Sequence, residues 1–297
     1  MFEQIRSFFT EKRVLEVETP ALSQAANTDP FIESFNLDLP RSLHTSPAYP
    51  MIRLLAPGSR DIYQICKVWR ATELGSKHNP EFTMLEYYRV GFSYKQLMQE
   101  VDELLMMAIS HLNKESKFIP YAELFLEKFS INPHLSCEDE LIAHVSNEIP
   151  SLDTTGLNQQ ALLDALLSHC IEPEFDSDYL TFVYDYPASQ SALSQLRQEA
   201  DYAIAERFEV YFGNLELGNG YQEEVDAKRN KAILNAENAK RIELGLTAMK
   251  PDELFLDACE SGIPSSTGIA IGLDRVLMAI TGEKSIQKVI NFPWDKA

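Results

Sequence analysis

The chain has 297 residues, and 26 basic against 45 acidic side chains leave a net charge of −19. With 45% apolar and 24% charged residues it has the balance of an ordinary soluble globular protein; this excludes a disordered chain, a collagen and a membrane protein, since no run approaches the ~20 apolar residues of a membrane helix. The charge also disfavours broad nucleic-acid binding, which depends on Lys and Arg neutralising phosphates.

Residues 2–12 read as a short amphipathic helix, with Phe2, Ile5, Phe8 and Phe9 on one stripe. Acids and bases mix among aromatics there, unlike a signal peptide, so the expected location is cytoplasmic. Residues 14–18 alternate as a strand and stop at Pro20. Residues 61–69 and 82–90 are rich in β-formers and read as strands, joined by a loop holding Gly75, Asn79 and Pro80. Residues 94–112 form an amphipathic helix with Ser93 as its N-cap. Residues 115–180 read as mostly helical, with a capped start at Ser136 and Asp139 and a second helix over 157–167. Strands resume at 181–186, 207–212 and 215–223. Residues 226–246 form a long polar helix and 252–260 a shorter one that stops near Gly262. Residues 267–273 are a strand, and Asp274 caps the last helix. Strands come in runs with helical blocks between them, which predicts an α+β fold with a mainly antiparallel sheet flanked by helices. Four scattered cysteines without a CxxC pair predict neither a disulfide framework nor a cysteine zinc site.

Three clusters carry chemistry. The first is R-A-T-E-L-G-S-K-H-N-P-E-F-T-M-L-E-Y-Y, from Arg70 to Tyr88. On its return strand Phe82, Met84, Glu86 and Tyr88 share one face, because strand side chains alternate. Arg70, with its planar two-donor fork, suits a phosphate; His78 lies in the loop, and Phe82 offers a ring to a purine. Glu86 and Tyr88 suit an ammonium group. The second cluster runs from Arg207 to Glu223. Glu209 and Glu216 are carboxylates for Mg²⁺ against a triphosphate, Asn219, Tyr221 and Glu223 share strand parity, and Gly218 and Gly220 allow a bulge. The third is G-I-A-I-G-L-D-R, Gly268 to Arg275. Arg275 falls in the first turn of a helix, where the macrodipole opposes a positive charge; a triphosphate in front of it explains the placement. Singly each cluster is weak, and their joint occurrence in this order carries the functional reading.

In that order the clusters resemble the catalytic core of the class II aminoacyl-tRNA synthetases, lysyl type, from Phe2 to the end of the chain. V-L-E-V-E-T-P at 14–20 resembles motif 1, whose proline lies in the family's dimer interface, so the resemblance implies a homodimer. The segment from Arg70 to Tyr88 resembles motif 2, Gly268 to Arg275 motif 3, and E-L-G-N-G-Y-Q-E the lysine-binding strand, with Tyr221 where Phe is common. The resemblance implies ATP contacts at Asn79, Glu216, Leu217 and Gly272 beside Arg70 and Arg275, the two catalytic arginines. It implies substrate contacts at Ser46, Pro47, Tyr88 and Glu223 and a lysine pocket with Glu86 and Asn219. Ala270 stands where the tRNA enzymes carry Gly, on the strand face that closes the pocket. The chain departs from the pattern at Ala48, where the family has Glu, and at Ala71 and Thr72, where it has Asn and Glu.

Motif 1 begins at Val14, so the expectation is a single catalytic domain over 1–297, with the helical insertion at about 115–180 and no anticodon-binding domain. The chain is similar in this to the stand-alone branch of the lysyl enzymes. That branch activates (R)-β-lysine with ATP and Mg²⁺ and passes it to a lysine ε-amino group of elongation factor P; tRNA and membranes are not expected partners. A truncated lysyl-tRNA synthetase and a non-catalytic regulatory paralogue stay open as other readings.

Overall fold

The structure is a computed structural model that describes residues 1–37 and 41–297. In chain order its helices are α1 (Phe2–Glu11), α2 (Ala48–Leu55), α3 (Tyr94–Ala108), α4 (Tyr121–Phe129), α5 (Glu138–Glu148), α6 (Gln159–Leu166), α7 (Ala227–Glu243), α8 (Glu253–Ser261) and α9 (Leu273–Thr281). Its strands are β1 (Leu15–Glu16), β2 (Leu22–Ser23), β3 (Ser42–Leu43), β4 (Ile62–Trp69), β5 (Glu81–Val90), β6 (Lys117–Pro120), β7 (Leu180–Pro187), β8 (Leu196–Gln198), β9 (Ala203–Phe212), β10 (Leu215–Gln222) and β11 (Ser266–Gly272). The chain divides into two compact units, Met1–His111 with Gln222–Ala297, and Leu112–Tyr221.

In the first unit β1 pairs parallel to β4, while β4, β5 and β11 run antiparallel. One face of this sheet is covered by α1 and α3. Phe9 stacks on Tyr63 at 4.3 Å and meets Tyr87 edge-on at 4.9 Å, so the odd-numbered residues of β5 face this apolar layer. α3 begins with a full capping box: Ser93 Oγ accepts from Gln96 N, and Gln96 Oε1 accepts from Ser93 N. α2 was not legible as a helix in P-A-Y-P-M. Pro47 is its N-cap and Pro50 lies in its first turn, where the missing N–H has no helical partner to lose. Tyr49 of α2 stacks on Phe255 of α8 at 4.7 Å.

In the second unit β7 pairs parallel to β6 and antiparallel to β9, and β9 also takes β8 and β10 antiparallel. The ladder between β9 and β10 slips between Glu216 and Gly218, an irregularity of the kind that the glycines allow. α4, α5 and α6 close a core of Tyr121, Phe125, Leu141, Val145, Leu163 and Leu166 with strand residues such as Val183 and Ala205. This unit is wider than the expected insertion at about 115–180, because the strands as far as Tyr221 go with the helices.

Two expected caps are corrected. α5 starts at an N-cap Cys137 without a side-chain bond, and Ser136 Oγ instead donates to Asn132 O at 2.9 Å. α9 has Gly272 as its N-cap, and Asp274 Oδ2 accepts the Thr83 N–H of β5 at 2.6 Å. Among the described residues no helix is long and apolar enough to cross a membrane, and all four cysteines are free.

Candidate active site

The open face of the first unit's sheet carries the even-numbered side chains of β5. Register sets them in rows: Cys66, Met84 and Gly272; Gln64, Glu86 and Ala270; Ile62, Tyr88 and Gly268. In these three rows β11 contributes only Gly, Ala and Gly, so the side chains of Glu86 and Tyr88 lie against the nearly bare backbone of β11. At Gly268 the approach is closest. A Cβ there would lie 2.4 Å from Tyr88 Cε1 and 2.7 Å from Glu223 Oε1.

Glu86 is the hub of the acidic end. Its Oε2 accepts from Ser46 Oγ at 2.6 Å and its Oε1 from Tyr88 Oη at 2.6 Å. Ser46 Oγ in turn accepts the Ala48 N–H at 3.0 Å, where Pro47 turns the chain into α2. Burial pushes the Glu86 pKa up, against the opposing pull of its two hydrogen bonds and of Arg70. Glu223, also buried, is pushed well above the ordinary carboxylate range, by burial first and then by repulsion from Glu86. Two buried acids, one raised further by the other, form a deficit of positive charge. A ligand with ammonium groups would relieve it.

The basic end lies where β4 runs into the 71–80 loop. Arg70 donates through Nε to Thr45 O at 3.3 Å and through Nη1 to Glu73 Oε1 at 3.1 Å. Its guanidinium lies 5.2 Å from the centre of the Phe82 ring. Arg275, in the first turn of α9, reaches the same loop. Its Nε donates to Lys77 O at 3.2 Å and its Nη2 to His78 Nε2 at 2.7 Å. Since the arginine can only donate, this ring nitrogen of His78 is the acceptor. Asp274 ties the first turn of α9 to β5, so Arg275 and Phe82 are held to one frame.

Asn79, an expected ATP contact, spends its side chain on the backbone. Its Nδ2 donates to Glu81 O at 2.6 Å and its Oδ1 accepts from Trp294 N at 3.0 Å. With Ile286 N donating to Ser76 O at 2.8 Å and Trp294 lying 5.6 Å from Phe35, the C-terminal segment is fastened along the loop. Asn79 thus tethers the loop to the C-terminal segment.

The second unit holds Glu209, Glu216, Leu217, Asn219 and Tyr221 on β9 and β10. Leu217 is buried, and Asn219 Nδ2 donates to Glu216 Oε1 at 3.3 Å. Glu209 corrects the sequence reading. Its carboxylate accepts from Arg207, Tyr211 and, at 2.8 Å, from Tyr186 Oη. Arg207 is packed between the rings of Tyr186 and Tyr221, at 4.4 and 5.4 Å. Burial raises the Glu209 pKa and Arg207 opposes the rise; burial also works against the Arg207 charge, but its phenol and carboxylate neighbours outweigh it. Both oxygens of Glu209 are engaged by donors and its counter-charge is already present. So engaged, Glu209 is a poor ligand for Mg²⁺ as it stands, although repulsion from Glu216 adds to the rise in its pKa; among the described residues no group of three or more His, Cys, Asp or Glu side chains converges to hold a metal by protein ligands alone. Arg207 and Gly268 were outside the expected set. The signal for Gly268 was a glycine in mid-strand; Arg207 gave none, since only the register sets it opposite Tyr221.

Against known proteins, residues 1–296 match the family described as tRNA synthetases class II (D, K and N). The chain is 41% identical over 308 residues to an elongation factor P–(R)-β-lysine ligase of Vibrio cholerae, covering 100% of this chain and 94% of that protein. It is 41% identical over 300 residues to the ligase of the same name from Proteus mirabilis, with 97% and 91% covered. Against that of Klebsiella pneumoniae it is 39% identical over 305 residues, with 99% and 93% covered.

Proposed function

The chain belongs to the class II tRNA synthetase family (D, K and N), and from that premise we propose that it is an ATP-dependent ligase that activates (R)-β-lysine and transfers it to a lysine ε-amino group of elongation factor P. The relatives' shared name supports the reaction. The observation in this chain that carries it is the buried pair Glu86 and Glu223, with Tyr88 and Ser46 on Glu86. Lysine and β-lysine each bring two ammonium groups, and two carboxylates are the complement.

In the first step a carboxylate oxygen of the amino acid attacks the α-phosphorus of ATP, and the bond to pyrophosphate breaks. Arg70 and Arg275 oppose the negative charge that grows on the phosphate oxygens, so catalysis is positioning and electrostatics. Phe82 and His78 act through them: Phe82 carries the Arg70 guanidinium on its face, and His78 holds the Arg275 fork from behind. In the second step the neutral amine of the acceptor lysine attacks the acyl carbon of the adenylate, AMP leaves, and the amine gives up a proton. No protein nucleophile is needed. No step here is routed through Mg²⁺; Glu209, one of its two expected ligands, is engaged by Arg207 and two phenols.

A protein acceptor also suits a net charge of −19, which repels tRNA. The motif 1 segment, with Phe2 and Leu15 exposed, supports a homodimer that a sedimentation measurement at micromolar concentration checks. The deciding experiment is ATP–pyrophosphate exchange with L-α-lysine, (R)-β-lysine and (S)-β-lysine, followed by transfer to elongation factor P and to tRNA. Exchange fastest with (R)-β-lysine and transfer to the protein is the expected outcome. Lysyl-tRNA formed as fast as the protein product would overturn the reading.

A further inference from the structure

We propose that Glu73 is the positioning residue for Arg70, holding its guanidinium over Phe82 before the triphosphate arrives. The proposal rests on the reading above, in which Arg70 acts on the phosphate. Arg70 follows the last residue of β4 and carries a long side chain that must be fixed at its far end. Three contacts do this. Thr45 O takes Nε at 3.3 Å, Phe82 lies under the guanidinium at 5.2 Å, and Glu73 Oε1 takes Nη1 at 3.1 Å. A carbonyl and a ring restrain the tilt of the plane, but Glu73 alone of the three is a carboxylate, whose hydrogen bond to a guanidinium is of the stronger, charge-assisted kind.

The contact is set by the loop rather than by chance on a solvated surface. Arg70 N donates to Pro80 O at 2.8 Å, Ala71 N to Glu33 O at 2.8 Å, and Glu73 N back to Arg70 O at 3.3 Å. These bonds close the turn that brings residue 73 over residue 70. Both side chains are largely covered, at 21% and 22% exposure, so the pair is screened less than an exposed one. Ala71 and Thr72 stand between them and carry no charge, so within this turn the anionic partner of Arg70 is Glu73. The contact runs through one oxygen and one nitrogen. It aligns the fork without the two-pronged neutralisation of a bidentate pair, which would compete with a phosphate for the same donors.

The test is a double-mutant cycle read by ATP–pyrophosphate exchange with (R)-β-lysine. Glu73→Ala is expected to lower kcat about 10- to 100-fold, the scale of misplacing a catalytic group by about an ångström. Glu73→Gln, which keeps an acceptor oxygen for Nη1 and nearly the same shape, is expected to recover most of that loss. In an Arg70→Ala background, Glu73→Ala is expected to cost nothing further, because residues acting as one unit are non-additive. Full additivity of the two changes overturns the proposal. So does a folded Glu73→Ala protein with exchange within about twofold of the parent, or a lower melting temperature with unchanged kinetics and no rescue by Gln. If Arg70→Ala itself leaves exchange unchanged, the reading of Arg70 falls and the positioning role falls with it. If Arg70→Ala abolishes exchange while Glu73→Ala does not alter it, only the positioning role falls.

Discussion

Replacing Gly268 by alanine tests the packing of the acidic pocket with a single methyl group. The added Cβ would stand 2.4 Å from Tyr88 Cε1, 2.8 Å from Tyr88 Cδ1 and 2.7 Å from Glu223 Oε1. The backbone at Gly268 lies outside the left-handed region, so the cost is contact and not strain in φ. Tyr88 is 3% exposed and its ring cannot swing into solvent. It must shift away from β11, and its hydroxyl shares that shift with Glu86 Oε1, now 2.6 Å away. Overpacking of this kind costs about 1–3 kcal/mol. Losing a hydrogen bond to a charged group adds about 1.5–3 kcal/mol if Tyr88 lets go of Glu86. At about 2–4 °C per kcal/mol for a chain of this size class, thermal unfolding registers the change. The sharper measurement is ATP–pyrophosphate exchange with the amino acid varied. Its KM is expected to rise on the order of 10- to 200-fold, the scale of steric discrimination by a methyl, while the KM for ATP stays within about twofold because Arg70 and Arg275 are untouched. A Gly268→Ala protein with parental melting and a parental amino acid KM would refute the packing of Tyr88 and Glu223 on this glycine.

Other outcomes follow from the same structure. Ala270 pairs with Glu86 across β5 and β11, so Ala270→Gly is expected to move the ratio of kcat/KM toward L-α-lysine over (R)-β-lysine by about 10- to 200-fold; an unmoved ratio makes Ala270 a packing residue. Glu209→Gln leaves the buried Arg207 without its carboxylate and is expected to cost about 3–5 kcal/mol in a urea titration. A parental midpoint together with a raised Mg²⁺ requirement would return Glu209 to the metal. Burial pushes Glu237 from 4.5 up to about 7, with the Thr28 hydrogen bond opposing and Asp29 adding to the rise. Its folded pKa lies above its unfolded value, so the folded chain holds the extra proton across that window and this group's contribution falls as pH rises through it. Glu237→Gln is therefore expected to raise the melting temperature more at about pH 8 than at about pH 5, and an equal change at both would contradict the assignment.

How much of this was legible depended on how local each cause is. The β4–β5 hairpin could be read directly, because period-two alternation puts Phe82, Met84, Glu86 and Tyr88 on one face whatever surrounds them. The Ser93 cap could be read because the N–H it accepts lies three residues on. Glu209 could not. One phenol that engages it belongs to Tyr186, 23 residues away, and nothing in E-R-F-E-V-Y says that Arg207 beside it will be buried. Asp274 misled for a similar reason: an acid in the first turn of a helix suggests a local cap, and the Thr83 N–H that claims it is 191 residues distant. β6 ends at Pro120 and is four residues long, too short for alternation to show.

The clasp between the C-terminal segment and the 71–80 loop also has an optical consequence. The chain contains two tryptophans, and they bracket that loop. Trp69 ends β4, its indole Nε1 donating to Glu81 Oε2 at 3.0 Å, and the Trp294 amide is fixed to Asn79. Intrinsic emission excited selectively in tryptophan thus arises wholly from beside the segment that follows Arg70, carries His78 and is reached by Arg275 of α9. A stopped-flow trace of nucleotide mixing reports on that segment with no label attached, and Trp69→Phe and Trp294→Phe apportion the signal between its two ends.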